Sequence, residues 1–273
     1  MSEDASILVL GMDELASAVA RKLHLAGHAV AIHQPSPPQT IRRRMSFADA
    51  WFDGAYAFEG VEARRADKTR DFLASLKSGV AVPILWHAFD DVSTRWPWDI
   101  IVDARSDETL PAERLRHLAD LTIGLGPRYV AGANCDVLID IGARDPGGVI
   151  RQGPLEGGDS EIDRRFADGR LALAPVHGMF KGQKLIGDGV LIGDVVGVVG
   201  ATPAIAPCSG RVRGIARDGA AVARGAEICE IVASPNAELT GISRRDRLIA
   251  RSVAFVVEME RAGFAPISLE NYF

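Results

Sequence analysis

The chain has 273 residues, a net charge of −5 and a pI of about 5.7, with 47% hydrophobic and 25% charged residues. This balance is typical of a globular protein of two domains, and the acidic charge argues against general binding to nucleic acid or anionic membranes. No apolar run reaches the roughly 18 residues of a membrane span, and the acidic start MSEDAS lacks the features of a secretory signal, so a cytoplasmic protein is expected.

The first predicted elements are a strand, a helix and a second strand. An apolar run at residues 6–10 ends at Gly11, and apolar residues then recur at helical spacing up to Gly27. HAVAIH, residues 28–33, follows as a strand. A right-handed crossover makes the two strands parallel and places the Gly11 loop at a carboxyl edge, where open α/β sheets bind ligands. Further strands of this sheet are predicted near residues 80, 99 and 121.

The loop after the first strand departs from the dinucleotide-binding fingerprint GxGxxG. Gly11 fits the first glycine, which permits the tight turn, and Ala16 stands in for the third, which lets the helix pack closely. Asp13 replaces the second, and its Cβ and charge oppose contact with a pyrophosphate, although the same residue is also a good helix N-cap. The acid that binds the ribose of NAD is missing too, because the second strand ends in His33 and Gln34.

Three more groups belong to the candidate site. The run Arg42 to Arg44 is predicted either to receive a phosphate or to form a solvated surface, and both interpretations stay open. Asp103 and Arg105 end a predicted strand and should face the same crevice as the Gly11 loop. The glycines of GLGPRYVAGAN, residues 124–134, either bring backbone amides close to a ligand or make a tight turn.

The second half contains an internal repeat. Glycine and charge dominate residues 145–168, which predicts a linker. The stretches that start at Ala174 and Ala206 then match at a constant offset, with an Ala-Pro entry followed by aligned glycines, so two units could interlock as a small two-fold sandwich. The pattern resembles the barrel-sandwich hybrid of biotinyl and lipoyl carriers. Its expected tip, GVVGATPAIAP, has no lysine, which excludes covalent biotin or lipoate there and favours a structural, docking or shielding role.

The whole chain resembles the YqeB-like accessory proteins of selenium-dependent molybdenum hydroxylase systems, and more distantly the xanthine dehydrogenase accessory factors. The resemblance rests on five stretches in order: GMDELASAVARKLHLAGH, TIRRRMSFADAWFDGAYAFEGVEA, DIIVDAR, GLGPRYVAGANCDVLID and APCSGRVRGIARDGAAVARGAEI. Where the family loop reads like GAGDLA, Glu14 keeps the acid, Leu15 matches and Asp13 replaces a glycine. GARDPGG replaces an RGHxLG-like stretch and loses its histidine. The resemblance implies a role in making, modifying or delivering the molybdenum cofactor, with a diverged ligand pocket.

The predicted fold class is α/β. It consists of a Rossmann-like parallel sheet domain at 1–165, an all-β barrel-sandwich hybrid module at 170–235, and a C-terminal helix and tail at 238–273. No metal site is expected, because the three cysteines lie far apart and no His, Cys and carboxylate cluster has ligand spacing.

The predicted function is that of an accessory or maturation protein for a molybdenum hydroxylase, which binds a nucleotide- or pterin-type cofactor or the client enzyme. The alternatives are an NAD(P)-dependent oxidoreductase and a non-catalytic docking or scaffold subunit. No catalytic residues stand out, so the sequence leaves open whether the chain is an enzyme and whether it forms a homo-oligomer. A molybdopterin-type cofactor or NADP is expected, with a pocket that binds nothing as an equal alternative. The predicted cofactor-binding residues are Gly11, Asp13, Glu14, Leu15, Ala16, Arg42, Arg43, Arg44, Asp103, Arg105, Gly124, Gly126, Gly132 and Asn134.

Overall fold

The structure is a computed structural model that describes residues 5–105, 112–155 and 169–262. Strands and helices of the first part are β1 (Ser6–Leu10), α1 (Glu14–Leu25), β2 (Ala29–His33), α2 (Ala48–Asp53), β3 (Ala55–Phe58), β4 (Val61–Arg65), α3 (Thr69–Ser78), β5 (Ala81–Leu85), α4 (Phe89–Arg95), β6 (Ile100–Asp103), β7 (Leu121–Leu125), β8 (Val130–Ala131), β9 (Val137–Ile139), β10 (Val149–Ile150) and β11 (Gly153–Pro154). A 3₁₀ turn covers Arg43–Met45.

A nine-stranded sheet dominates this part, in the order β10-β9-β7-β6-β1-β2-β5-β4-β3. Strand β1 lies between β2 and β6 and runs parallel to both, as the strand-helix-strand pattern of the opening predicts. The chain therefore leaves β1 toward β2 on one side and later returns to β6 on the other. Such a reversal places the carboxyl ends of β1 and β6 at the point where open sheets form crevices.

Both faces of the sheet are covered, which explains why its central strands are apolar throughout rather than alternating. One face packs against α1, α2 and a C-terminal helix, α5 (Arg244–Arg261), whose Ile249, Val253 and Val257 are buried. The other face packs against α3 and the segment around α4, where Phe72 and Trp98 are buried. Helix α5 contacts α1 directly, so it is part of the large core.

The second part, the β module, covers residues 169–232 with strands β12 (Gly169–Leu173), β13 (Gly178–Gly182), β14 (Gly189–Val190), β15 (Val195–Val199), β16 (Thr202–Ile205), β17 (Gly210–Ile215), β18 (Ala221–Val222) and β19 (Glu227–Val232). They form two four-stranded sheets, β12-β19-β17-β14 and β16-β15-β13-β18. The two repeat units exchange strands, because β14 pairs with β17 and β18 pairs with β13. Phe180, Val196, Val212 and Ile228 fill the space between the sheets.

The predicted fold class needs correction. The large sheet is mixed rather than parallel, because β3 and β10 run antiparallel at its two edges, so a Rossmann-like parallel sheet does not describe it. Among the described residues of the β module, the two sheets stay separate and form no barrel. Strands β14 and β18 end these sheets, because each has two residues and pairs with a single neighbour, β17 and β13 respectively.

The predicted boundaries at 165 and 170 fall at or beside residues 156–168, which lie outside the described residues, as does the tail after residue 262. Within the described ranges, no helix combines the length and apolar character needed to cross a membrane.

Candidate functional site

A row of polar side chains lies along the carboxyl edge of the parallel strands. At its centre, Asp103 ends β6 and is fully buried. It accepts hydrogen bonds from Arg105 Nε, at 3.0 and 3.1 Å, and from the Tyr129 hydroxyl. Arg128 adds a second guanidinium 3.8 Å away. A buried carboxylate needs such partners to remain charged, so this network fixes Arg105 at the edge of the sheet.

The ionisation of the network follows from its burial. Burial raises the pKa of the Tyr129 hydroxyl, and the neighbouring Asp103 charge raises it further, so Tyr129 is a neutral donor. Burial alone would lower the pKa of Arg105, but its hydrogen bonds to Asp103 raise it above the ordinary value. Burial also lowers the pKa of His33, which lies at the end of β2. This row therefore combines a charged pair with a neutral phenol and a neutral imidazole at pH 7.

The Gly11 loop does not form an open phosphate cradle. Gly11 has φ +102°, and a Cβ there would lie 3.1 Å from Arg105 Cγ, so the arginine stem fills the predicted crevice. Asp13 caps α1, its carboxylate accepting from the Ala16 amide at 3.0 Å. Glu14 is buried and accepts from the Thr40 hydroxyl at 2.8 Å. A pyrophosphate at this helix start would meet two carboxylates, which is the physical reason against a nucleotide here.

Leu15 and Ala16 are buried in the core behind this loop. Asp246, at the start of α5, interacts with Glu14 and Asp13: burial raises its pKa, and these two carboxylates raise it further. The start of α1 is thus an acidic, tightly packed region. That these residues bind a cofactor stays a prediction.

The arginine run connects the two parts of the molecule. Arg42 and Arg213 both bind Glu230, which is fully buried, through Nε contacts of 2.7 and 2.9 Å. Burial would raise the pKa of Glu230, but the two guanidinium groups hold it below the ordinary value. Arg43 binds both oxygens of Asp49 at 2.8 Å.

Arg44 is exposed, and its carbonyl accepts from the Gly241 amide. The guanidinium groups of Arg42 and Arg43 are therefore held by carboxylates of the protein itself, and their predicted binding to phosphate remains untested.

The glycine-rich loop of residues 124–134 supports Tyr129. A Cβ on Gly124 would lie 2.1 Å from the Tyr129 ring, so only glycine lets the ring pack there. Gly126 and Gly132 have positive φ in the turns on either side, and Asn134 accepts from the Val130 amide at 2.8 Å. The structure uses this loop to place the hydroxyl that contacts Asp103, and a ligand role for it stays a prediction.

Sequence reasoning missed a cavity of about 340 Å³ at the carboxyl end of β5. Its wall is built from the rings of Phe72, Trp96 and Trp98, whose centroids lie 5.3 to 6.3 Å apart. We call it the aromatic cavity. Buried Ala66 and Leu85 complete the apolar wall. One signal was available in the sequence: three of the four tryptophans fall within residues 86–98.

The polar groups of the aromatic cavity lie on Lys68, Thr69, His87 and Asp91. His33 Nε2 donates to the His87 carbonyl at 2.9 Å, so the polar row of the sheet edge fixes the turn that carries this rim. Trp98 Nε1 donates to the Val92 carbonyl at 2.9 Å.

Trp96 differs from Trp98 in its hydrogen bonding. Its Nε1 is the single buried side-chain nitrogen or oxygen without a hydrogen-bond partner in the part of the chain that the structure describes. Such an orphan is rare, and an acceptor from outside the protein, either a water or a ligand, would satisfy it.

A larger cavity of about 540 Å³ lies where residues 37–43 meet the β module. The guanidinium carbon of Arg217 lies 4.9 Å from the centre of the Phe52 ring, and the same guanidinium binds Asp53. Arg43 binds Asp49. Both guanidinium groups that line this cavity are therefore paired with carboxylates of the protein. Over the described ranges, no three His, Cys, Asp or Glu side chains are grouped so as to hold a metal ion.

No protein-family model matches the chain. It is similar to the uncharacterized protein YqeB of Escherichia coli (strain K12), with 31% identity over 255 residues. The match covers 90% of this chain and 46% of YqeB, so the chain spans about half the length of the relative it matches. The name of that relative carries no link to selenium or molybdenum.

Two solved structures show a weak likeness. One is a succinylglutamate desuccinylase/aspartoacylase from Rhodobacter sphaeroides, at 14% identity, with 86% of this chain and 87% of that chain covered and a TM-score of 0.27. The other is an aspartoacylase family protein from Mesorhizobium loti, at 16% identity, with the same coverage and a TM-score of 0.26. At these TM-scores the likeness transfers no activity to this chain.

The predicted function needs correction as well. The start of α1 and the crevice beside it lack the open cradle that the predicted cofactor needs. The Arg105 stem in the predicted crevice and the carboxylates at the start of α1 give the physical reason against a nucleotide or pterin cofactor at that point.

Proposed function

We propose that the chain binds a small organic molecule and holds its ring in the aromatic cavity. One observation carries the proposal: Trp96 lines this cavity, and its indole N–H is buried without an acceptor. An unsatisfied buried donor costs about 1–3 kcal/mol, and a ligand oxygen in hydrogen-bond range would remove that cost on binding. Binding would thus be favoured by the polar contact as well as by ring burial.

The size and lining of the cavity support a ligand of one or two rings. Ligand sites range from roughly 300 to 1,000 Å³ and combine apolar walls with a few placed polar groups. The aromatic cavity lies at the lower end of this range. Phe72 and Trp96 meet edge to face at 86°, an arrangement that leaves ring faces and edges for a further aromatic group.

Its position supports the same proposal. The cavity opens at the carboxyl end of β5, which is the edge of the sheet where open α/β proteins bind their ligands. The hydrogen bond from His33 to the His87 carbonyl holds the turn after β5 in place, so the part of the rim at His87 is positioned before a ligand arrives. A preformed rim lowers the entropic cost of binding.

The test is isothermal titration of the full chain with 2-phenylacetamide, a neutral ring compound with a carbonyl acceptor. We expect saturable binding that Trp96→Phe weakens about three- to tenfold, because phenylalanine keeps the ring but removes the donor. Ala66→Leu should abolish binding by filling the cavity with a side chain from its wall. The matched control is Trp86→Phe, since Trp86 is exposed and does not line the cavity. Binding that survives Ala66→Leu in a folded protein would refute the assignment.

A further inference from the structure

The β module packs against the large sheet part through its second repeat unit. Residues of the segment 216–227, which we call the packed face, line the cavity of about 540 Å³ opposite Phe52 of α2. Arg217 binds Asp49 and Asp53 of the same helix, at 3.2 and 3.0 Å. One face of the module is therefore held against α2 by charge pairs and by packing.

The repeat creates a counterpart of the packed face on the first unit. Ala174 matches Ala206, an offset of 32 residues, and the same offset relates residues 184–195 to the packed face. The two sheets of the module correspond in the same way, because β19, β17 and β14 of one sheet are the counterparts of β15, β13 and β18 of the other. We call residues 184–195 the open face, since they do not line the cavity at α2.

The open face is apolar at positions where the packed face is charged or small. Leu185, Leu191 and Ile192 are 68–69% exposed. Their counterparts in the second unit are Arg217, Ala223 and Arg224. In the part of the chain that the structure describes, seven of the fourteen exposed large apolar side chains lie within residues 173–205. Such a concentration of exposed apolar side chains, bordered by polar groups, marks an interaction surface.

Two identical turns build the open face. The sequence LIGD occurs at residues 185–188 and again at 191–194, and each aspartate accepts a hydrogen bond from the amide of its own leucine, at 2.8 and 3.0 Å. Lys184 Nζ lies 3.9 Å from the Asp194 carboxylate, so the two turns are neighbours. The open face therefore presents apolar side chains beside one amine and two carboxylates.

Charge and composition favour a second copy of the chain as the partner. The carboxylates of the two turns oppose nucleic acid and anionic lipid headgroups. The α2 surface that receives the packed face is already occupied within the molecule, since Asp49 and Asp53 bind Arg217. The open face of another copy offers a matching apolar surface, and its mixed charges are complementary to themselves, with Lys184 able to face Asp188 across a two-fold axis.

We infer that two copies of the chain pair through their open faces in a closed two-fold dimer. Each copy buries Leu185, Leu191 and Ile192 against the same face of the other copy, and Lys184 of each faces the carboxylates of its partner. Three large side chains are a small contribution beside the roughly 20–30 residues that each partner supplies to a standard interface. The dimer is therefore expected to form at micromolar rather than nanomolar concentrations.

The experiment is analytical ultracentrifugation of the full chain between about 1 and 200 µM, which covers the range of weak protein association. We expect the mass to rise from 29.2 kDa toward twice that value. Leu191→Asp should raise the dissociation constant more than about tenfold, because two carboxylates without a counter-charge would meet in the interface. The matched control is Val80→Asp, which places the same charge on a side chain that is 74% exposed outside the module and should leave the association unchanged.

A mixture of two variants tests the two-fold geometry. Leu191→Asp and Leu191→Lys should each be monomeric alone, whereas the equimolar mixture should dimerise, because opposite charges then meet across the axis. Circular dichroism confirms that each variant is folded. A mixture that stays monomeric, or a dimer that Leu191→Asp does not weaken, would overturn the inference. A parent chain that is monomeric at every concentration would also overturn it and would point to a different protein as the occupant of the open face.

Discussion

Replacing Glu230 by glutamine tests how the β module is attached to the large sheet. The Glu230 carboxylate is fully buried and takes two guanidinium groups, Arg42 from the segment after β2 and Arg213 from β17. Arg42 alone contributes bonds of 2.7 and 2.8 Å to the two oxygens. A glutamine offers one acceptor oxygen and no charge, so both arginines lose their counter-charge in a water-poor environment.

The expected loss is about 3–5 kcal/mol of unfolding free energy, the range found when one partner of a buried ion pair is removed. For a chain of this size that is a drop of roughly 10 °C in the unfolding temperature. Urea unfolding followed by circular dichroism measures it. The control is Glu62→Gln, whose pair with Arg64 is exposed and should be worth less than about 1 kcal/mol. A loss in Glu230→Gln no larger than in this control would refute the reasoning.

Acidification gives a second readout of the same contact. Because the pKa of Glu230 is held below its ordinary value of 4.5 in the folded protein, its charge contributes stability that is present above the unfolded value. That contribution is lost as the pH falls through the folded value. The difference in stability between the parent and Glu230→Gln should therefore be constant near pH 7 and shrink below about pH 4.5. A difference that grows on acidification would contradict this assignment.

Two other substitutions test the polar edge of the sheet. Asp13→Ala removes the cap on the Ala16 amide and should cost about 1 kcal/mol, measured by urea unfolding; an unchanged midpoint would argue against the cap. Tyr129→Phe removes the hydroxyl on buried Asp103 and should cost about 1–3 kcal/mol, whereas Tyr56→Phe, at a partly exposed position, should cost less. Equal losses in the two tyrosine variants would show that the contact with Asp103 adds nothing.

Local patterns in the sequence predicted the start of the sheet. An apolar run that ends at Gly11, followed by helical spacing and a second run, specifies β1, α1 and β2, and the structure pairs the two strands in parallel. The alternative interpretation of Asp13 as an N-cap is confirmed by its bond to the Ala16 amide. These features depend on residues close in sequence, which is why a single chain is enough to find them.

Contacts between distant segments could not be predicted. Arg42 binds Glu230, which lies 188 residues further along the chain. The sequence around Arg42 therefore shows a run of arginines but gives no sign of the buried carboxylate that binds this guanidinium. The aromatic cavity likewise needs Phe72 from α3 beside Trp96 and Trp98 from the segment after α4. The repeat was visible in the sequence, but the separation of its strands into two sheets was not.

The most direct test of the proposed function is the nitrogen–proton NMR spectrum of the tryptophan side chains during titration with 2-phenylacetamide. The chain has four tryptophans, and Trp96→Phe identifies the signal of Trp96 by its disappearance. We predict that this signal moves downfield and saturates, because its N–H gains an acceptor, while the signal of Trp51, which already donates to the Gln34 carbonyl, stays in place. A Trp96 signal that does not move at any concentration of the probe, or that moves only together with that of Trp51, would contradict ligand binding in the aromatic cavity.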